Sequence, residues 1–465
     1  MAAGTETRSS RASLLDGARL PILSWAPDLE EGALAQARNC AELPPAFHRV
    51  AVMADGHQGY GVPIGAVVAL DGAIAPYAVG NDIGCGMALV PTTIGREEFL
   101  SPLTTRSGAP GPIARDDVMG WIQTSIPSGD AGHKAPVSDD ADGLLAAAYD
   151  AMGEAAGLSG QPLSTAQSAD ASRGELLERE RFVARGRSQL GTLGAGNHFI
   201  ELLAGPDDDV WVMLHSGSRG VGSMICNNFH RMALAHCQQA GHSLPDPGLA
   251  WLPVGHDEDA WNRIGHCYAR AMRAALDYAE LNRRHMLRRI GDVLDRRYAD
   301  ALRWDEMVNI HHNDATLEDH FGRPVWVHRK GAVKADRGQP TITPGSMGTG
   351  SYLGRGLGHP DSFRSCSHGA GRKRSRGRAR QELSLQRELE AVLAVGGKVF
   401  TANKEAVLDE MPGAYKDLDE VMANQSDLVE PVRRLTPLGT YKGSESRRRR
   451  RKKGSAPDWR PEEER

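Results

Sequence analysis

Cysteine is scarce in this sequence. The six cysteines among 465 residues are scattered, and no two of them form a Cys-x-x-Cys pair. Small secreted domains instead carry dense cysteine frameworks that act as disulfide scaffolds. The pattern therefore argues against a disulfide-rich fold and favours reduced thiols in a cytoplasmic protein.

Long apolar runs and a large net charge are also absent. No stretch approaches the ~20 apolar residues that cross a bilayer, and the N-terminus lacks the basic start and apolar segment of a secretory signal. We therefore expect a cytoplasmic location and no membrane partner. The formal net charge of −4 is close to neutral, so total charge does not indicate a nucleic-acid partner. Basic residues are nevertheless concentrated at 372–380 and 447–453.

The length allows one large domain or two to three smaller ones, and the apolar pattern predicts mixed strands and helices. A chain of 465 residues can bury a large core. Short apolar runs broken by glycine at 51–95 and 190–222 indicate strands joined by tight turns, and 259–300 has helical spacing. Neither a βαβ rhythm nor a regular all-β spacing is present, so we predict an α+β fold of mixed β-sheets with surrounding helices. The predicted parts are a flexible leader at 1–20, a domain at 21–443 and a disordered basic tail at 444–465.

Four separated patches place metal-binding side chains among glycines or other small residues. They are residues 82–86, 196–198, 214–218 and 311–313. Any single patch is explained equally well by a buried cysteine beside a turn-forming aspartate, or by a histidine hydrogen-bonded in the core. Together they offer a carboxylate, a thiolate and three imidazoles, a set that suits Mn²⁺ or Zn²⁺. The predicted ligands are Asp82, Cys85, His198, His215 and His312.

Two further loops are compatible with phosphate chemistry. Residues 344–351 combine glycines with hydroxyls, and the exposed N–H groups of such loops can bind anions. His368 lies beside glycine and precedes the basic cluster 372–380, so it could present a neutral ring nitrogen to a phosphate near stabilising cations. The alternatives are a plain turn at 344–351 and an incidental histidine in a solvated basic loop.

Two segments allow two interpretations each. The loop 55–61 could bind metal or substrate, or could be a turn in which Asp55 caps backbone N–H groups. Lys442 could be an ordinary surface charge or a functional residue at the end of the domain.

In chain order, these motifs resemble the RtcB family of RNA-splicing ligases. The resemblance extends from about residue 21 to Gly443, through 55–61, 82–87, 191–199, 215–220, 311–313, 329–332, 344–348 and 367–372. The His-His-Asn form at 311–313 and the compact loops are most similar to the shorter bacterial members.

The resemblance implies an activity, the cofactors that it needs and the residues that bind them or react. Members of the family use GTP and Mn²⁺ to join an RNA 3′-phosphate or 2′,3′-cyclic phosphate end to a 5′-hydroxyl end, in tRNA splicing or RNA repair. By this resemblance, the five predicted ligands hold two Mn²⁺ ions, Cys85 can bridge them, and His368 is the guanylated nucleophile. The implied nucleotide contacts are Asn197, His198, Phe199, Ile200, Glu201, His312, Asn313, Pro344, Gly345, Ser346, Met347, Ser351, His368, Gly369, Ala370, Gly371 and Lys442.

RNA is the expected partner of a monomeric enzyme, and an activating helper protein is left open. We predict that Arg329, Lys330 and the cluster 372–380 hold RNA phosphates. Two other functions fit parts of the pattern. One is a metal-dependent phosphodiesterase or phosphatase that acts on RNA ends without guanylylation, and the other is a non-catalytic RNA-binding protein.

Overall fold

A computed structural model describes residues 11–443 except for 16, 105–109, 167–173, 256–258 and 402. The predicted α+β class is confirmed, because sheets and helices of mixed order surround shared apolar cores. The tail predicted at 444–465 and residues 1–10 of the predicted leader lie outside the described residues.

Strands and helices follow one another irregularly along the described residues. The strands are β1 (Ser13–Leu15), β2 (Ile22–Ser24), β3 (Ala46–Tyr60), β4 (Val62–Leu70), β5 (Ala73–Ile74), β6 (Gly86–Gly95), β7 (Pro102–Thr104), β8 (Pro110–Ile113), β9 (Phe199–Ala204), β10 (Asp209–Ser216), β11 (Leu252–Pro253), β12 (Val308–His311), β13 (Asn313–His320), β14 (Arg323–Lys330), β15 (Ala332–Lys334), β16 (Pro340–Pro344), β17 (Ser351–Gly356), β18 (Ser365–Ser367), β19 (Val399–Phe400) and β20 (Val429–Lys442). The helices are α1 (Glu31–Ala41), α2 (Pro76–Val79), α3 (Arg96–Leu100), α4 (Ala114–Ser125), α5 (Asp142–Ser159), α6 (Arg179–Gln189), α7 (Arg219–Gln239), α8 (Ala260–Leu294), α9 (Arg376–Glu382), α10 (Leu385–Ala394) and α11 (Leu418–Asn424).

Two large sheets dominate the fold. One has the strand order β1-β2-β3-β4-β14-β13, and the other has the order β12-β6-β10-β9-β20-β17-β16 with β19 beside β20. Among the described strands, the parallel pairs are β2–β3 and β19–β20, and the remaining pairs are antiparallel. Antiparallel sheets do not need the crossover helices of a βαβ fold, which accounts for the absence of that rhythm in the sequence.

Strand register gathers four chain segments at one edge of the eight-stranded sheet. His215, near the end of β10, lies opposite Met87 of β6 and Phe199 of β9. His311, the last residue of β12, lies opposite Gly86, the first residue of β6. Since these neighbours are antiparallel, the starts of β6 and β9 share an edge with the ends of β10 and β12. The residues just outside these strands therefore meet around His215.

The helix α8 packs against this sheet. Its predicted range, 259–300, is close to the observed Ala260–Leu294, and the Asp259 side chain accepts the Trp261 N–H at its start. Apolar residues at helical spacing, including Met286 and Ile290, pack with sheet residues of β6, β9 and β10. No helix of the described segments combines the length and the apolar character that membrane crossing requires.

Part of the predicted leader is ordered. Ser13–Leu15 forms β1, which pairs with β2 at the edge of the six-stranded sheet, and the Arg11 N–H donates to the buried Asp427 carboxylate. Leu14 is nonetheless 61% exposed. Leu15, in contrast, is partly buried and packs against the apolar core beside this sheet.

His230 in α7 is a buried imidazole without polar partners. Its ring stacks on Tyr77 with centroids 3.6 Å apart, and neither ring nitrogen has a hydrogen-bond partner among the described residues. Burial, assisted by the charge of Arg231, lowers the pKa of His230 from 6.5 to about 3.

This pKa predicts a loss of stability in acid. Between pH 6.5 and about 3, the unfolded chain binds a proton at His230 that the folded protein does not bind, so stability falls as pH is lowered. At about pH 4.5 the loss from this residue is about 2–3 kcal/mol relative to about pH 7.5. We expect His230→Phe to reduce the loss by that amount in urea unfolding at the two pH values. The exposed His266→Phe serves as control, and equal losses in wild type and His230→Phe would contradict the prediction.

Candidate active site

The five predicted metal ligands lie together. The Cys85 Sγ atom is 3.4 Å from the Nε2 atom of His198 and 3.2 Å from that of His215. His215 Nε2 is 3.3 Å from His312 Nε2, and Asp82 Oδ2 is 2.9 Å from His198 Nε2. Four of the five residues are buried, and Asp82 is half-buried at the rim. The fold thus assembles the composite cluster that the four sequence patches predicted.

Backbone carbonyls orient two of the imidazoles. The Nδ1 atom of His198 is 2.9 Å from the Leu193 carbonyl oxygen, and that of His215 is 3.2 Å from the Asn197 carbonyl oxygen. With the proton on Nδ1, each ring directs the lone pair of Nε2 toward the cluster. Metal-binding histidines are commonly held in this way.

The donor set fits a divalent transition metal. Two imidazole nitrogens that face each other as acceptors at 3.3 Å repel unless a proton or a cation lies between them. The Nδ1 atom of His312 also lacks a hydrogen-bond partner within the described residues. Cys85, His198 and His215 offer ligand atoms that all lie within 4.8 Å of one another. A thiolate with imidazoles is a set that binds Mn²⁺ less tightly than softer metals, so these contacts do not select the ion.

Burial sets the protonation of these groups. It lowers the pKa of His215 and His312 well below the ordinary value, which keeps both rings neutral, as metal ligation requires. Burial and the neighbouring Asp82 raise the pKa of the Cys85 thiol well above its usual range. A bound metal ion would reverse that preference, because a coordinated thiol loses its proton.

His368 lies beside the cluster, directly after β18. Its ring centroid is 4.9 Å from that of His312, and its Nδ1 atom is 2.6 Å from Asp55 Oδ2. The same carboxylate oxygen accepts the backbone N–H groups of His368 and Gly369. Since Nδ1 faces the Asp55 carboxylate, Nε2 is the ring nitrogen left for chemistry.

Asp55 is the functional candidate whose role the sequence left open. Burial alone would raise its pKa, but the charge and the hydrogen bond of His368 lower it, so the carboxylate remains ionised. Gly371 allows its loop to lie close to the Asp55 backbone, since a Cβ atom there would lie 2.2 Å from the Asp55 carbonyl oxygen. Asp55 and His368 are 313 residues apart, so local spacing carried no signal of their contact.

Several predicted nucleotide contacts share the same sheet edge. Lys442 pairs in register with Phe199, and Thr440 pairs with Glu201. The Lys442 Nζ atom lies 5.4 Å from the Phe199 ring centroid and 3.0 Å from Glu410 Oε2. Burial raises the pKa of Glu201 to about 7, although the Thr440 hydroxyl donates to it.

The remaining predicted contacts occupy different positions. Asn197 is exposed, whereas the side chain of Ile200 lies in the apolar core under the sheet. Asn313 connects the loop that contains Asp82 to Gly331. Its Nδ2 atom donates to the Asp82 carbonyl, and its Oδ1 atom accepts the Gly331 N–H. Ala370 is buried in the core beside β18.

The loop 344–351 lies close to the residue after His368, and some of its N–H groups are already hydrogen-bonded. A Cβ atom built on Gly369 would lie 3.3 Å from the Pro344 carbonyl oxygen. The N–H groups of Gly345, Ser346 and Thr349 are already bonded to acceptors within the loop. The buried Ser351 hydroxyl has no partner among the described residues. An anion that used these three N–H groups would have to displace internal hydrogen bonds.

The prediction that Arg329 and Lys330 hold RNA phosphates is wrong. Arg329 is fully buried and pairs with Glu318 at 2.7 Å. Lys330 is buried, and its Nζ atom donates to the carbonyl oxygens of Tyr60 and Val62. Neither side chain is free to reach a phosphate at the surface.

Five of the six cations in the basic cluster 372–380 form ion pairs, but they share three carboxylates, so the cluster keeps a net positive charge. Its ion pairs are Arg372 and Arg376 with Glu410, Arg376 and Arg380 with Asp409, and Arg374 and Arg378 with Glu382. The acidic partners come from residues that the sequence analysis did not connect to this cluster.

The fold and these side chains define an α+β protein with a buried cysteine–imidazole site beside a carboxylate-held histidine. The sequence model of the family described as tRNA-splicing ligase RtcB matches residues 36–443. The chain therefore belongs to the RtcB family.

Individual relatives are similar in sequence to this chain over most of their length. RNA-splicing ligase RtcB of Escherichia coli (strain K12) is 36% identical over 453 residues, which cover 92% of this chain and 99% of that protein. RNA-splicing ligase RtcB of Mycobacterium tuberculosis is 34% identical, covering 88% and 100%. tRNA-splicing ligase RtcB of Thermococcus kodakarensis is 32% identical, covering 89% and 92%.

Proposed function

We propose that this chain is an RNA ligase that joins 3′-phosphate or 2′,3′-cyclic phosphate ends to 5′-hydroxyl ends through a histidine–GMP intermediate, using GTP and Mn²⁺. The observation that carries the proposal is the position of His368, with its ring 4.9 Å from that of His312 and its Nδ1 atom held by Asp55. Membership of the RtcB family supports RNA ligation as the activity.

Asp82, Cys85, His198, His215 and His312 would hold the metal. Bound Mn²⁺ supplies positive charge next to the phosphates. The chain itself fixes the geometry: the carbonyls behind His198 and His215 hold the rings, and Cys85 would supply a thiolate beside both Nε2 atoms.

His368 acts as the nucleophile. Its Nε2 lone pair attacks the α-phosphorus of GTP, an N–P bond forms, and the bond to the β-phosphate oxygen breaks as pyrophosphate leaves. The Nδ1 proton stays on the ring, and the Asp55 carboxylate stabilises the resulting positive charge. The RNA 3′-phosphate then takes the GMP from His368, and the 5′-hydroxyl displaces GMP as the RNA is joined. A cyclic phosphate end is first opened by water.

The guanylate occupies the edge formed by Phe199, Glu201 and Lys442 together with the loops 344–351 and 368–371. This position offers an aromatic face, a buried carboxyl group and an ammonium group within one region. The substrate is RNA from tRNA splicing or RNA repair, and we propose a monomeric cytoplasmic enzyme. Arg329 and Lys330 are not among its RNA contacts.

A ligation assay tests this function. We expect an RNA with a 2′,3′-cyclic phosphate end and an RNA with a 5′-hydroxyl end to be joined only when both GTP and Mn²⁺ are present. A pair with 3′-hydroxyl and 5′-phosphate ends is the matched control and should remain unjoined. Opening of the cyclic phosphate without GTP and without joining would instead support the phosphodiesterase alternative.

A further inference from the structure

Helix α8 places two adjacent polar residues, Asn282 and Arg283, against the back of the metal cluster. Both are fully buried in a helix whose buried face is mostly apolar. Buried polar groups are stable only when they are hydrogen-bonded. Their partners therefore indicate why two such residues are present.

Arg283 connects the segments that carry three of the ligands. Its Nη1 atom donates to the carbonyl oxygens of Gly84 and Ser216, both at 2.9 Å. Gly84 directly precedes Cys85, and Ser216 directly follows His215. On the other side, Nε donates to Asn309 Oδ1 at 2.7 Å, and Nη2 lies 3.2 Å from Nδ1 of His311, the residue before His312.

Asn282 connects the segment before His198 to the segment after His215. Its Oδ1 atom accepts the N–H groups of Gly191 and Thr192 at 2.7 and 3.2 Å. Its Nδ2 atom donates to Ser216 Oγ at 3.3 Å and to the Gly217 carbonyl at 3.1 Å. Ser216 Oγ in turn donates to the Leu193 carbonyl, the same oxygen that orients His198.

We infer that Asn282 and Arg283 are positioning residues that fix the relative placement of the metal ligands. This inference rests on the proposed metal site. The five proposed ligands come from four segments at strand ends, with Asp82 and Cys85 in the same one, and this pair bonds to all four segments at once. The planar guanidinium matters, because five N–H donors in a rigid fork can hold opposed carbonyls, whereas the three donors of a lysine sit at a single point.

The test is Co²⁺ binding by the full-length protein with Arg283→Lys. We expect the Kd for Co²⁺ to rise about 10- to 100-fold, and the thiolate-to-cobalt absorption band to shift or weaken at saturating metal. The matched control is Arg284→Lys, the next residue of α8, whose exposed side chain pairs with Glu280. That control should keep wild-type affinity and absorption.

A merely structural role would give a different result. It would lower the melting temperature of the metal-free protein while the folded fraction kept the wild-type Kd and absorption band, and this outcome would overturn the inference. If Arg283→Lys does not fold, the same Co²⁺ measurement is made on Asn282→Asp. That exchange keeps the side-chain shape and removes the donors to Ser216 and Gly217. Wild-type Co²⁺ binding by Asn282→Asp would then overturn the inference.

One further variant distinguishes this inference from the function on which it rests. Loss of the absorption band in Cys85→Ser, together with wild-type behaviour of Arg283→Lys, would overturn the positioning role alone. An unchanged band in Cys85→Ser would overturn the metal site itself.

Discussion

Replacing His368 by glutamine will abolish the covalent labelling of this protein by GTP that carries a radioactive α-phosphate. The phosphorus–nitrogen bond needs an unprotonated imidazole nitrogen, and an amide is not a nucleophile. We expect labelling to fall by roughly 10³-fold or more. The amide retains a donor near Asp55, which limits the cost of leaving that buried carboxylate without its partner.

The measurement is gel autoradiography after incubation with labelled GTP and Mn²⁺. The exposed His266→Gln is the control and should be labelled like the wild type. Mn²⁺ binding by His368→Gln, measured by calorimetry, should persist because His368 is not a predicted ligand. Labelling that survives in His368→Gln would assign the nucleophile to another residue.

Replacing Cys85 by serine will remove metal-dependent labelling while the protein stays folded. The Sγ atom lies within 3.4 Å of two imidazole nitrogens, so the exchange removes the ligand that contacts both rings. A serine hydroxyl has a similar shape but is a hard ligand that does not lose its proton readily. We expect at least a roughly 100-fold loss of labelling at limiting Mn²⁺.

The control for this exchange is Cys237→Ser. Cys237 is also buried, but it lies in α7 and its thiol donates to the Trp251 carbonyl, a bond that a hydroxyl can replace. We expect that variant to keep both its metal content and its labelling. Wild-type labelling in Cys85→Ser, with an unchanged melting temperature, would mean that the buried cluster is not the metal site.

The sequence predicted the main elements and the five candidate ligands that the fold brings together, because both depend on local pattern. The small residues next to Asp82, Cys85 and the histidines are the positions where strands end and turns begin. The strands predicted within 190–222 are β9 (Phe199–Ala204) and β10 (Asp209–Ser216), and the apolar spacing over 259–300 marks α8. The spacing of apolar residues and the local composition are sufficient to predict such features.

The sequence could not predict partners that are brought together by the fold. Arg329 pairs with Glu318 because β13 and β14 are neighbouring strands, and the pair is buried by layers that no local pattern describes. The contact of Asp55 with His368 likewise requires β3 and β18 to pack together. Side chains alone also gave no sign that the loop 344–351 bonds to itself. Basic composition was therefore a poor guide to which cations face solvent.

The candidate ligands lie on or directly beside β6, β9, β10 and β12, so the ribosome synthesises them at different times. These strands are far apart along the chain, and β12 is translated long after β6. A nascent polypeptide that ends before residue 312 lacks one ligand of the centre and the strand that aligns it. The complete five-residue centre can therefore form only after residue 312 has been synthesised, when the other four candidate ligands are already in the chain.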